Sequence, residues 1–545
     1  MKVYEAIART VSGKAAGPIF GLMGDGNLDL LAEFADGCGR TVVHTRHEQH
    51  AVAMADGYSR FSGEVGLCSV TQGPGLTNAA TSLTVARHHR SPTLLLAGQS
   101  SLGDVHNAQR LDQLAFATVT AGAAAVVDDV RALTPVLTTA FRHLEAGRGP
   151  FVLNLPNNVQ RLDLPDGWSF APGQSPAASL ADPDAVKRAA DMLASARQPA
   201  ILAGLGAVRA HADAVIGRLS LLLGAPITGS LPAKGLCSGH PLTFGVSGGL
   251  GEGAADEVLK SCDVLLAIGA SLNQWTTTFR ELIGNAKVIQ IDADPAAFGA
   301  YTPVALALLG DARLTTEQIC ETLQRQTETK IKKAVGPVVR QARSRDYAQS
   351  DDGSLDPRCV LDLLNDLLPS DRILVADGGH CVQATCQRMS VADPRNWAYS
   401  FDFGCIGQGV GLAIGACFAR PGHRVTLITG DGALMMGLAD VDTAARYRLP
   451  LTIIILNDGG FGQERHTLER KGLSARHAMQ PPPDFVQLAS GFGGRGYRIE
   501  GSRGLDDLQV YLGEADAEAG LLVLDVAING AVELPVSGEI ARHMH

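Results

Sequence analysis

Two apolar runs, each stopped by a glycine turn and separated by one helix-length segment, constrain this chain most. "HRVTLITGDG" and "LTIIILNDGG" flank "ALMMGLADVDTAARYR". The outer runs read as buried strands and the middle one has helical spacing. Such a unit belongs in a parallel sheet with helices packed on it. It sets Asp431 just past the C-terminal end of one strand and Asn457 just past the end of the next. In a parallel sheet those ends are neighbours, and ligands bind there.

The residue types at these ends suit one kind of ligand. An Asp carboxylate, an Asn amide oxygen and free backbone carbonyls are hard oxygen donors. They fit Mg²⁺, which usually keeps water and substrate phosphates in its shell. The flanking glycines let the backbone approach an anion, and the following helix N-terminus adds positive potential. Gly-Asp-Gly alone reads as an ordinary turn. The pair of turns at this spacing, each after a buried strand, points to a metal-chelated diphosphate.

The rest of the chain repeats the strand-helix alternation in three blocks. Its 545 residues correspond to about three to four domains of ordinary size. The first block covers about residues 1–165, with runs such as "TVVHT", "VGLCSVT" and "SPTLLLAG". A Pro-, Ser- and Gly-rich linker from Asp166 to Ala185 follows. The second block, about 186–335, has four strand candidates: "QPAILAG", "APITGS", "CDVLLAIG" and "AKVIQIDADP". The charged stretch "KIKKAVGPVVRQARSRDYAQSDDGSLDP" reads as a second connector. The third block, about 356–535, has strands "RILVADGG", "HRVTLITGDG", "LTIIILNDGG" and "GLLVLDVAI". Within it "RHTLERKGLSARHAMQPPPD" reads as a coil that could serve as a mobile lid. The expected fold class is α/β, with three doubly wound parallel-sheet domains and no repeat at solenoid periods.

Composition narrows the class. A formal net charge of -10 and the lack of a basic stripe weigh against nucleic acid as a partner. No apolar run approaches the roughly 20 residues of a membrane span. The N-terminus has an amphipathic helix pattern rather than a secretion signal. The ten cysteines are scattered without a CxxC pair, as expected of reduced thiols in a cytoplasmic protein.

Gly430-Asp431-Gly432, then twenty-four residues, then Asn457 resembles the thiamine diphosphate signature. Over nearly its whole length the chain resembles the acetolactate synthase and pyruvate decarboxylase superfamily. The resemblance implies pyrimidine-binding, central and diphosphate-binding domains. It implies metal ligation by Asp431, Asn457 and the Gly459 carbonyl, with Gly432, Ala433 and Gly460 against the diphosphate. "HTRHEQHAVAMADGYSR" carries Glu48 at a strand-to-helix junction. On residue chemistry this is a helix-start carboxylate favoured by the dipole. By resemblance it hydrogen-bonds N1′ of the aminopyrimidine and promotes loss of the thiazolium C2 proton. His44, His47 and His50 surround it without an acidic partner pattern for a metal. Gly73, Pro74, Gly75 and Asn78 match a turn near the pyrimidine. In "FDFGCIGQGVGLAIGA", Ile406 matches the aliphatic residue that bends the cofactor, and the Gly404 carbonyl would meet the 4′-amine. Gly379 and His380 match a further diphosphate contact, with a solvent-facing loop position as the lesser alternative for His380. In the central block, "SLNQWTTT" stands where an Arg-rich flavin-binding stretch is expected, so FAD is disfavoured.

The reaction implied is decarboxylation of a 2-oxo acid, followed by release of an aldehyde or addition to a second carbonyl compound. "RHEQHAVAMADGYSR" and "GCIGQGVGLAIGA" are more similar to acetolactate synthases. "GLMGDGNLDLL" is more similar to decarboxylases, in which the residue at Asp25 faces the substrate. Gly-Asp-Gly-Asn also suits a plain turn. The decarboxylases' paired histidines are reduced here to His106, and their glutamate is replaced by Gln463, with Glu464 one residue later. The expectation is therefore an acetolactate-synthase-like carboligase for pyruvate or a related 2-oxo acid. The alternatives are a 2-oxo acid decarboxylase and a non-catalytic cofactor-binding scaffold. The family further implies a homodimer or homotetramer, with Glu48 of one subunit serving a cofactor held by another.

Overall fold

Runs that are apolar on both faces pair in parallel and need helices above and below. The computed structural model of the chain describes residues 1–171, 178–251, 253–326, 345–348, 350–517 and 520–534. It holds three six-stranded sheets in which every named strand pair is parallel. The first contains β1 (Ile19–Gly21), β2 (Val42–His44), β3 (Gly66–Val70), β4 (Thr93–Gln99), β5 (Ala124–Val126) and β6 (Phe151–Pro156), in the order β2-β1-β3-β4-β6-β5. The second contains β7 (Pro199–Ala203), β8 (Ile227–Gly229), β9 (Thr243–Val246), β10 (Val264–Ile268), β11 (Lys287–Asp292) and β12 (Leu306–Leu309), in the order β12-β11-β10-β7-β8-β9. The third contains β13 (Ile373–Ala376), β14 (Trp397–Tyr399), β15 (Val425–Gly430), β16 (Leu451–Asn457), β17 (Arg495–Ile499) and β18 (Leu521–Ala527), in the order β14-β13-β15-β16-β18-β17. The first and third sheets thus share one winding. The middle sheet has the order of a dinucleotide-binding fold. The α/β reading holds, and each sheet has its own reversal point.

Three features differ from the sequence reading. The four strands expected in each of the second and third blocks are all present, but β9, β12, β14 and β17 join them, and all four are sheet edges. The linker ends earlier than Ala185, because Asp182 caps a helix over Pro183–Ser195 through the Ala185 N–H. Much of the second connector, residues 330–344 and 349, lies outside the described residues, as do 172–177 of the first linker. The stretch read as a coil is helical in part: its first six residues belong to a helix, Gly462–Arg470, and a short 3₁₀ turn follows at Ala475–Ala478. Backbone bonds from Phe461 N–H to Ala478 O (2.9 Å) and from Gln480 N–H to Gly459 O (2.8 Å) tie its later part back to the turn that follows β16.

The first and third sheets share one interior. The Glu48–Ser62 helix runs alongside the Gly409–Ala419 helix, and glycines allow the backbones to touch. A Cβ on Gly411 would lie 2.5 Å from Ala53 Cβ, and one on Gly415 would lie 2.6 Å from Tyr58 N. Ala51, Met54 and Leu95 therefore belong to one apolar cluster with Val410, Leu427 and Ile453. The middle sheet keeps a separate core around Ile201, Leu266 and Ile289.

Candidate functional site

The C-terminal ends of β13, β15 and β16 open on a cavity of about 650 Å³. Its wall is built from residues 378–380, 404–406, 430–433 and 460–464, with Met436 and Asp458. Gln49 and Thr81 close it from the N-terminal side. Gly430 ends β15 and caps the helix Asp431–Arg446, so Asp431 sits at the positive end of sixteen helical residues. A Cβ on Gly379, Gly404 or Gly430 would meet nothing within 4 Å. These glycines leave room in the cavity for a ligand to approach the backbone.

The cavity wall carries acidic side chains, Asp431 and Asp458 among them. Burial and the neighbouring Asp458 push the Asp431 carboxyl up to about 7. Burial likewise raises Asp458 to about 6, with Arg465 opposing. Two neighbouring carboxyl groups, both raised by burial and one raised further by the other, are an environment a cation relieves. Asn457, the last residue of β16, donates from Nδ2 to Asp525 Oδ1 (2.8 Å), and its Oδ1 accepts the Gly459 N–H (3.2 Å). Gly459 has φ of 72°, a backbone state that favours glycine. Its carbonyl accepts the Gln480 N–H and keeps a second lone pair. A carboxylate, an amide oxygen and a carbonyl are the donor chemistry of a Mg²⁺-diphosphate site. Among the described residues no group of three His, Cys, Asp or Glu side chains is arranged to hold a metal.

The loop carrying Gly404 and Ile406 is held from two sides. Asp377, fully buried at the end of β13, accepts from the Ser400 hydroxyl (2.6 Å), the Gly378 and Gly407 N–H groups (2.8 and 3.1 Å) and the Thr429 hydroxyl (3.3 Å). Burial pushes its carboxyl up. From the other side Arg60, at the far end of the Glu48 helix, donates to Tyr399 O (2.8 Å) and Asp402 Oδ2 (2.9 Å). Burial would raise Asp402, but the charges of Arg60 and His89 outweigh it and hold the carboxyl at about 2.

His380 is 4% exposed in the first turn of the His380–Arg388 helix, so it is not a solvent-facing loop residue. Its Nε2 accepts the Leu534 N–H (3.1 Å). Burial and the neighbouring His466 and Arg470 lower it to about 4. Of the residues singled out in the sequence, Gly379, His380, Gly404, Ile406, Asp431, Gly432, Ala433, Gly460 and Gln463 line this one cavity. Asn457 and Gly459 flank it at the end of β16.

The N-terminal candidates gather elsewhere. Glu48 opens its helix and is buried, and its Oε2 accepts from Asn78 Nδ2 (3.0 Å). Gly73, with φ of 57°, and Pro74 start the short helix that carries Asn78. Glu48 is not on the cavity wall of its own chain; Gln49, one residue on, is. Asp25 is exposed in the turn after β1, 3.4 Å from Asn157 Nδ2. His106 is exposed, with its N–H on Asp104 Oδ1. His50 is committed to Asp440 Oδ2 (2.9 Å) and the Gly407 carbonyl (3.1 Å) and so pins the Glu48 helix to the Asp431–Arg446 helix and to the loop that carries Ile406. Sequence reasoning assigned nothing to Asp377, Asp458 or Asp525. The signal for Asp525 was a charged residue inside the apolar run "LLVLDVA".

Three family models match, one to most of each sheet. The model "Thiamine pyrophosphate enzyme, N-terminal TPP binding domain" matches residues 1–116, the central-domain model 186–319 and the C-terminal TPP-binding-domain model 377–526. A probable acetolactate synthase large subunit of Methanococcus aeolicus is 30% identical over 92% of this chain and 88% of its own length. The chain belongs to the thiamine pyrophosphate (thiamine diphosphate) enzymes. This thiamine pyrophosphate enzyme is also 28% identical to the probable 2-ketoarginine decarboxylase AruI of Pseudomonas aeruginosa, over 96% of this chain and 93% of that one. In fold it is similar to the thiamine diphosphate-dependent 4-hydroxybenzoylformate decarboxylase of Rhodococcus jostii RHA1. The TM-score is 0.83 at 23% identity, covering 97% of this chain and 99% of the other. Among the described residues of the enzyme, no helix is long and apolar enough to cross a membrane.

Proposed function

We propose that the enzyme decarboxylates pyruvate or a related 2-oxo acid and transfers the remaining acyl unit to a carbonyl acceptor, as an acetolactate-synthase-like carboligase of the cytoplasm. The observation that carries this reading is the glycine-walled cavity with its buried acid pair at the ends of β15 and β16. Asp431, the Asn457 amide oxygen and the Gly459 carbonyl would hold Mg²⁺. Gly379, His380, Gly432, Ala433 and Gly460 would lie along the diphosphate, and Gly404 and Ile406 would frame the aminopyrimidine. Bound there, thiamine diphosphate supplies the electron sink that decarboxylation of a 2-oxo acid requires. No flavin is assigned to the central sheet.

Glu48 holds a proton at the aminopyrimidine ring nitrogen, with Asn78 fixing its second oxygen and Gly73 and Pro74 shaping the turn beside it. Glu48 is not on its own chain's cavity wall, which supports a site completed by a second copy in a homodimer or homotetramer. An incomplete set of proton-delivering residues supports a carbonyl compound, rather than a proton, as the acceptor. His106 is a single exposed histidine, and Gln463 is a carboxamide. The reading of 2-oxo acid decarboxylase is favoured by one observation: Asp25 stands exposed at the end of β1, next to the strand that leads into Glu48. NMR of the product from pyruvate with Mg²⁺ and thiamine diphosphate separates them. Acetolactate is expected, and acetaldehyde as sole product would install the decarboxylase. Glu48→Gln should abolish either product.

A further inference from the structure

An asparagine side chain offers an oxygen at one end and an NH₂ at the other, and the two have nearly the same shape. Only the oxygen can serve a cation, so a site that uses Asn457 needs something to set which end faces it. The strand register supplies it. In a parallel sheet, register partners lie side by side and residues two apart share a face. Arg498 on β17 is the register partner of Asp525 on β18, and Asp525 is the partner of Ile455 on β16. Asn457, two residues after Ile455, therefore shares its face with both charged residues. The side chains join in that order. Arg498 Nη1 donates to Asp525 Oδ2 (2.6 Å), and Asp525 Oδ1 accepts from Asn457 Nδ2 (2.8 Å).

We propose that Asp525, anchored by Arg498, is a positioning residue that fixes the polarity of the Asn457 amide and so keeps its oxygen available to the metal. A carboxylate can only accept, so it captures the NH₂ end and turns Oδ1 toward the Gly459 turn, where the N–H of Gly459 meets it at 3.2 Å. Asp525 and Asn457 are 4% and 5% exposed, so water does not compete for these positions. Arg498 approaches from the edge strand and occupies the other carboxylate oxygen. The three groups form one row across β17, β18 and β16, and the row ends at the Asn457 amide that would meet the metal. This inference rests on the metal site proposed above.

The test measures Mn²⁺ binding by electron paramagnetic resonance, with thiamine diphosphate present, on the full-length protein. Asp525→Ala should weaken Mn²⁺ binding by about tenfold, the scale of losing an outer partner of a metal ligand. Asn457→Asp should also bind weakly, because it sets a second carboxylate against Asp525. The double variant Asn457→Asp with Asp525→Asn reverses the donor and acceptor. The amide now on β18 donates to the carboxylate now on β16 and accepts from Arg498, and Mn²⁺ affinity should return to within about threefold of wild type. A general folding defect would not be rescued by the reversal. Wild-type affinity in Asp525→Ala, or a double variant no better than Asn457→Asp, would overturn the positioning role. If Asp431→Ala binds Mn²⁺ as wild type does, the metal site itself is wrong, and the positioning role falls with it.

Discussion

Gly204 and Gly430 hold the same place in two different sheets. Each lies at the C-terminal end of a central parallel strand and caps the helix that follows, with extended backbone (φ of -122° and -89°) that any residue can adopt. Their surroundings are opposite. A Cβ on Gly204 would lie 2.5 Å from Ala270 Cα and press on the Gly269 carbonyl, whereas one on Gly430 would meet nothing within 4 Å. The middle sheet spends its glycine on close packing of one turn against another. The third sheet spends its glycine on space for a ligand. A glycine at a strand end therefore marks a site only if the space it leaves remains open.

Four substitutions sharpen or break this contrast. The largest effect is expected from Asp431→Ala, which removes the carboxylate next to the open glycine. Calorimetric affinity for thiamine diphosphate with Mg²⁺ should fall by at least about a hundredfold, ~3 kcal/mol. Gly204→Val should cost about 3 kcal/mol of stability through overpacking, read as an earlier thermal transition, and leave cofactor affinity unchanged. An undisturbed transition would mean the middle turn is not closed.

His380 gives the cavity an acid sensitivity that the middle turn lacks. Its folded value of about 4 lies below the ordinary 6.5. Between those values the unfolded chain binds the extra proton, so stability should fall as pH drops from 6.5 toward 4 and stay level above. The loss should be about 3 kcal/mol in the unfolding free energy from urea titrations, and His380→Gln should flatten that slope. Gly430→Ala should have the smallest effect, with stability unchanged and cofactor affinity about tenfold lower, ~1.4 kcal/mol. If Gly430→Ala unfolded the chain as Gly204→Val does, the two turns would not differ.

What could be read from the sequence followed burial and separation along the chain. β10 and β16 are buried at every position and show as continuous apolar runs. β12 and β17 are edge strands with alternating or partial burial, and "RGYRI" carries two arginines, so no run announces them. β14 is buried but only three residues long, too short to show a pattern. Asp431 and Asn457 were legible because one strand-helix-strand unit carries both. Asp525 stands 68 residues beyond Asn457, and only the order β16-β18-β17 brings it and Arg498 alongside. Asp377 was hidden for the same reason, since its partners Ser400, Gly407 and Thr429 come from three later segments.

The shared interior of the first and third sheets also sets a problem of timing during synthesis. Ala51, Val52 and Met54 leave the ribosome early, but Val410, Leu412 and Ile414 of the facing helix are made only after the whole central sheet. Until then an apolar helix face stays wet and sticky, the kind of surface that chaperones shield. The nascent chain must keep that face from other molecules for most of its translation, and its glycine-paired seam closes only near the end.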